Sequence, residues 1–153
     1  MLILLLPLLS LFNFSTPHSA PIELKGYFRC RESLIEGTQD ALVCYAPTQG
    51  GCNAGRVILA YERRHSQAGR KPMFDIADTV QVRVSAQRRA VAIARCTAGG
   101  KSRQYFVVFD ATATGARPHL SHIVQAWGVN TKGRLTPVAV KTIQCANEDF
   151  SSN

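Results

Sequence analysis

The side chains able to carry chemistry in this chain are few and scattered. Among its four histidines, His119 and His122 stand three apart and His65 lies in an Arg-rich stretch. On a helix the first two would share a face, whereas on a strand they would point to opposite sides. Metal-independent RNA cleavage needs a base for the 2′-hydroxyl proton, an acid for the leaving oxygen and a cation on the phosphate. A histidine without a partner cannot perform both proton transfers. Asp75 and Asp78 lie three apart beyond Pro72, and Asp110 closes an apolar run. They offer a carboxylate pair for metal or acid–base work, but equally read as polar residues bounding a strand. No G-x-S-x-G elbow, H-E-x-x-H, P-loop or EF-hand pattern occurs. The residue types therefore imply no cofactor and no catalytic set.

Binding is better provisioned than catalysis. Eighteen Lys/Arg against ten Asp/Glu give a formal charge of +8. The excess is concentrated in residues 51–109, where eleven Lys/Arg face three Asp/Glu. Thirteen arginines against five lysines favour planar, bidentate contacts with phosphate or carboxylate. The Arg-rich segment comprises Arg56, Arg63, Arg64, Arg70, Arg88, Arg89, Arg95 and Arg103. It reads either as a solvated surface or as a face for an anionic partner, RNA or an acidic protein.

The first twenty residues contain no Asp, Glu, Lys or Arg, and Leu2–Phe14 is an apolar run broken by Pro7, Ser10 and Asn13. A membrane span needs about 20 apolar residues, so this run suits the apolar region of a cleaved secretory signal. Residues 1–20 are read as that signal and 21–153 as a single compact domain, with no membrane association after cleavage and as a monomer. All five cysteines, Cys30, Cys44, Cys52, Cys96 and Cys145, fall in the mature part. In an oxidising compartment they read as two disulfides and one thiol, with fifteen possible arrangements. The absence of C-x-x-C and the scatter of the histidines argue against zinc.

The elements that must position these groups follow from hydrophobic period. Residues 22–31 alternate apolar and charged types, as a half-buried strand does. Ala41–Ala46 is a second short apolar piece. Ala54, Val57, Ile58, Tyr61, His65 and Ala68 fall on a helical stripe, with Asn53 as N-cap, Gly69 beyond the end and Pro72 as a stop. This predicts a helix over 54–68, with a strand at Val57–Glu62 as the alternative. Thr79–Ser85 alternates with Val80, Val82 and Val84 inward. A turn at Gln87–Arg89 leads into Ala90–Cys96, and Gly99-Gly100 turns the chain into Gln104–Asp110. His119–Val129 fits a short helix or a strand; a strand is preferred, followed by a hairpin at Lys132-Gly133 and a last strand from 134 or 135 to Cys145. Pro137 then belongs at an edge or bulge. The fold class expected is α+β, one helix packed on an antiparallel sheet; the alternative is an all-β barrel or sandwich.

A leader, the aromatic-x-Cys of Tyr27-Phe28-Arg29-Cys30, the segment Val57–Arg64, the step Lys71-Pro72-Met73-Phe74 and the run Arg103–Gly115 together carry a resemblance. In these features the chain resembles the secreted ribonuclease-like effectors of powdery mildew fungi, the RNase-like proteins expressed in haustoria. The resemblance implies a ribonuclease-like fold, with Cys30 bridged to Cys145 and Cys44 to Cys52, leaving Cys96 free. It also implies a pseudoenzyme. Met73 stands where the active fungal ribonucleases carry a histidine, Ala92–Arg95 offers no carboxylate for their glutamate, and Ser121-His122 corresponds to their terminal Thr-His pair. The function expected is a secreted, non-catalytic effector, delivered into host cells, whose arginines bind host RNA or a host protein. The alternative is a periplasmic all-β inhibitor or immunity protein that blocks an enzyme's cleft with a cationic loop.

Overall fold

A computed structural model describes residues 24–150 apart from 50, 66–68, 70 and 86; the signal expected at 1–20, and Arg70, lie outside the described residues. In it Gly55–His65, expected as a helix, is a strand (β3). The expected α+β, ribonuclease-like architecture is therefore replaced by the all-β alternative. The reason is burial on two sides. Val57, Leu59 and Tyr61 face one apolar cluster, while Ile58 and Ala60 face another. A strand apolar on both faces loses its period of two and cannot be told from a buried helix by pattern. The β-branched pair Val57-Ile58 favours the strand.

Four antiparallel strands form the first sheet in the order β1-β2-β3-β4, with β1 Phe28–Leu34, β2 Ala41–Ala46 and β4 Met73–Val84. The second sheet comprises β5 Arg89–Ala98, β6 Lys101–Asp110, β7 Ile123–Val129, β8 Leu135–Pro137 and β9 Ile143–Cys145, in the order β8-β7-β6-β5-β9. The two sheets pack face to face. Leu42, Cys44, Val57, Leu59, Val82 and Val84 of the first meet Val91, Phe106, Val108, Trp127 and Leu135 of the second in one core.

Several elements form where the sequence places them, for local reasons. Gly99 and Gly100 take φ of 57° and 76°, a left-handed turn that L side chains avoid, and join β5 to β6 in a tight hairpin. Pro137 lies on the edge strand β8, where its missing N–H removes no inner ladder bond. Asp110 ends β6 and caps a single helical turn, α1 Ala111–Thr114, accepting the Ala113 N–H at 2.9 Å. That bond holds the Asp110 carboxyl below its ordinary range. Instead of one last strand, the chain after 134 divides into β8, a 3-10 turn at Val140–Thr142 and β9.

The disulfides pair Cys30 with Cys52 and Cys96 with Cys145, leaving Cys44 as a thiol. This replaces the Cys30–Cys145 and Cys44–Cys52 pairing that the resemblance implied. Register explains it: Cys96 and Cys145 are directly opposite on β5 and β9. Cys30 sits at a bulge in β1, between the paired Arg29 and Arg31, and packs against the cluster that holds Cys52. Two disulfides fit an oxidising compartment, as in secreted proteins. No helix among the described residues is long and apolar enough to cross a membrane.

Cys44 is fully buried in that same cluster, and burial pushes its thiol up from about 9 to about 12. Because the folded value is the higher one, the neutral thiol's stabilisation is intact below pH 9 and is lost as pH rises from about 9 to about 12. A thiol reagent at pH 8 should leave the folded protein unmodified and label one thiol per chain after unfolding in denaturant. Rapid labelling without denaturant would contradict the placement.

Candidate partner-binding surface

The arginines expected to form one face are distributed over two ends of the sandwich. Arg56 lies near the start of β3 and Arg63 and Arg64 near its end. At about 3.3 Å per residue, Arg56 and Arg63 are about 23 Å apart. Arg88 and Arg89 stand at the turn into β5, near the Arg56 end. Arg103 lies on β6 opposite Cys96, and Arg95 is bound to Glu36 at 2.8 Å. The described members of the set thus make no continuous strip.

One end is built for contact. Strand β2 pairs with β3 only as far as Glu62, while β3 and β4 pair on through Arg63, Arg64 and His65 opposite Asp75, Phe74 and Met73. The two longest strands therefore run past β2 as a ribbon. Asp40, at the end of the β1–β2 turn, braces its base: it accepts the Tyr61 hydroxyl at 2.6 Å and the Arg64 N–H at 3.1 Å. Arg64 reaches Gln39 at 2.7 Å through Nη1, and its Nε is buried without a partner. His65 meets Asp75 at 2.8 Å. Arg63 lies over the Tyr61 ring, 5.7 Å from its centroid, and a Cβ at Gly133 would run into its guanidinium. The β7–β8 turn with Lys132 is thereby placed beside the ribbon.

Two bridges bring the second sheet to the same end. Glu36 N–H donates to Gln104 Oε1 at 2.9 Å, and Gln104 Nε2 donates to Ser33 Oγ at 2.6 Å. Lys101 and Arg103, at the start of β6, accordingly flank the β1–β2 turn. The carboxylates at this end are engaged: Glu36 by Arg95, Asp75 by His65, Asp40 by Tyr61 and Arg64, and Asp78 by Arg134 at 3.3 Å. Arg63, Lys101, Arg103 and Lys132 carry no ion pair among the described residues. On the first sheet at the same end two large apolar side chains stand out in solvent, Leu34 opposite Ala41 at 64% and Met73 opposite His65 at 55% exposure. The sequence marked neither as a contact residue: Leu34 looks like an ordinary strand residue, and Met73 drew notice only for the histidine it replaces in the resemblance.

Behind this end, on the outer face of the first sheet, lies a buried carboxylate. Glu62 is 1% exposed; it accepts from Tyr45 Oη and binds Arg29 Nη2 at 2.5 Å. Arg29 also reaches Glu32 at 2.8 Å and lies over the Tyr45 ring. Burial and the bond to Glu62 push the Tyr45 hydroxyl up to about 12, so it serves as a neutral donor. Every charge in the cluster has its partner, and the arrangement holds β1, β2 and β3 in register.

The groups considered for catalysis are kept apart. Asp75 pairs with His65, while Asp78, beyond a bulge, accepts the Leu135 N–H at 2.8 Å and joins the two sheets. His119 is in a lone bridge to Ala146, and His122 is an exposed residue at φ 51° before β7, so the pair shares no helix face. Among the described residues no three His, Cys, Asp or Glu side chains gather as a metal ion would require. Comparison with family models, with curated proteins and with solved structures returned no match.

Proposed function

We propose that this chain is an exported, disulfide-bonded binding protein that docks the ribbon end of its β-sandwich onto an acidic partner protein, in the manner of an inhibitor or immunity protein. The observation that carries the reading is the ribbon end itself. Exposed Leu34 and Met73 lie at the same end as Arg63, Lys101, Arg103 and Lys132, which make no ion pair among the described residues. Apolar anchors supply affinity once water is excluded, and a surrounding field of one sign steers association and rejects like-charged surfaces. A ribbon braced by Asp40 and an adjoining turn loses little freedom on binding, which preserves affinity.

The partner should be recovered with the tagged protein expressed in its native host and eluted by raised salt. Reversing two charges, Arg63→Glu with Lys132→Glu, should reduce recovery at least about ten-fold. Arg56→Glu, at the far end of β3, should leave it unchanged. Near-UV circular dichroism establishes that the variants fold. Equal recovery by all three proteins would refute the assignment of this end.

A further inference from the structure

At the opposite end of β3, we propose that Arg56 and Arg83 form a binding site for a tetrahedral oxyanion, a phosphate or sulfate group carried on a ligand. The site is independent of the ribbon end. Arg56 on β3 and Arg83 on β4 are direct partners in the antiparallel ladder. Their neighbours Val57 and Val82 are buried inward, so the alternation of strand side chains sends both guanidinium groups to the outer face, and both are exposed. Directly opposite residues hold their Cβ atoms about 4.5–5.5 Å apart, and like charges so placed repel. Neither arginine makes an ion pair among the described residues.

The surroundings deepen the imbalance. Two residues beyond Arg83 the chain folds back, with the Arg88 and Arg89 N–H groups both donating to Ser85 O at 3.3 and 2.9 Å. Two further exposed arginines are thereby set near the pair. Asp110, opposite Arg89 in the β5–β6 ladder, caps α1 and offsets part of the charge of Arg88, but pairs with neither Arg56 nor Arg83. On the first sheet the carboxylates toward the ribbon are engaged elsewhere: Asp78, five residues from Arg83 and about 17 Å along β4, pairs with Arg134, and Glu32 and Glu62 both pair with Arg29. Two planar forks on directly opposite residues can both donate N–H groups to the oxygens of one phosphate or sulfate, and an anion between them turns repulsion into attraction. The neighbouring Gly55 keeps the approach open, since a Cβ there would meet nothing within 4 Å.

This gives an unusual pairing of effects to test. Thermal unfolding of the full chain is followed with inorganic pyrophosphate and with sulfate, against sodium chloride at equal ionic strength. At about ten times Kd the anion should raise the wild-type Tm by about 5 °C. Arg83→Gln should unfold no lower than wild type without anion, because repulsion is relieved, and should lose the anion-dependent rise. Arg56→Gln should behave alike, while Arg83→Lys, which keeps charge but not the fork, should retain only part of the rise. A response to pyrophosphate over sulfate assigns a phosphate ligand, and the reverse a sulfate ester. No rise in wild type, an equal rise in Arg83→Gln, or an Arg83→Gln protein less stable without anion would each overturn the proposal.

Discussion

Replacing Cys96 and Cys145 together by alanine should lower the unfolding free energy by about 4 kcal/mol. The bridge spans 49 residues, and in the chain-entropy account a loop of that length restricts the unfolded ensemble by about that amount. The effect on the fold is concentrated at the edge of the second sheet. Strand β9 pairs with β5 through only Cys96–Ala98 opposite Ile143–Cys145, so without the covalent link that short ladder and the few bonds of Cys145–Asn147 to Arg95 and to 117–120 must hold the C-terminal segment. Tm should fall by roughly 15 °C for a domain of this size. The shorter Cys30–Cys52 loop of 22 residues should cost about 3 kcal/mol when removed. Peptide mapping of the unreduced protein should recover Cys96 joined to Cys145. Recovery of Cys30 joined to Cys145 would contradict this pairing, and so would a Cys96→Ala protein as stable as wild type.

The second large effect concerns Glu62. Its carboxylate is almost completely buried between Arg29 and Tyr45, and removal of one partner of a buried ion pair typically costs 3–5 kcal/mol. Arg29 is 44% exposed and would recover some hydration, so Glu62→Ala should cost about 2–3 kcal/mol. The Tyr45 hydroxyl, left without its acceptor, adds to the loss. Chemical denaturation of the variant measures it through the midpoint at constant slope. The same substitution separates the two architectures. On the helix expected over 54–68, Glu62 falls outside the apolar stripe and its replacement would be nearly neutral, whereas in β3 it is a buried strut.

That contrast shows where the sequence is transparent. Strands with one buried face declare themselves: Val80, Val82 and Val84 alternate with polar residues in β4, and the Gly99-Gly100 and Lys132-Gly133 turns mark hairpins whose strands then follow. β3 does not, because Val57–Glu62 is buried on both faces and its spacing happens to satisfy a helical stripe as well. Glu62 and the Tyr45–Arg29 pair that satisfies it are far apart in the chain, so its burial emerges only once β1, β2 and β3 are in register. The arginines were legible as types but not as a surface. Their positions along β3 place Arg56 and Arg63 at opposite ends, and only register reveals that Arg83, outside the set first considered, stands against Arg56. The disulfide pairing was hidden for the same reason, since ladder geometry, not chain spacing, brings Cys96 to Cys145.

The most direct test of the functional account is photo-crosslinking in the native host, with the photoreactive side chain placed at Met73 on the ribbon or at Val124, an exposed residue of β7 on the second sheet. The account expects a discrete crosslinked partner from position 73, lost when Arg63→Glu and Lys132→Glu are added, and none from position 124. The same product from both positions, or none from position 73, would contradict it.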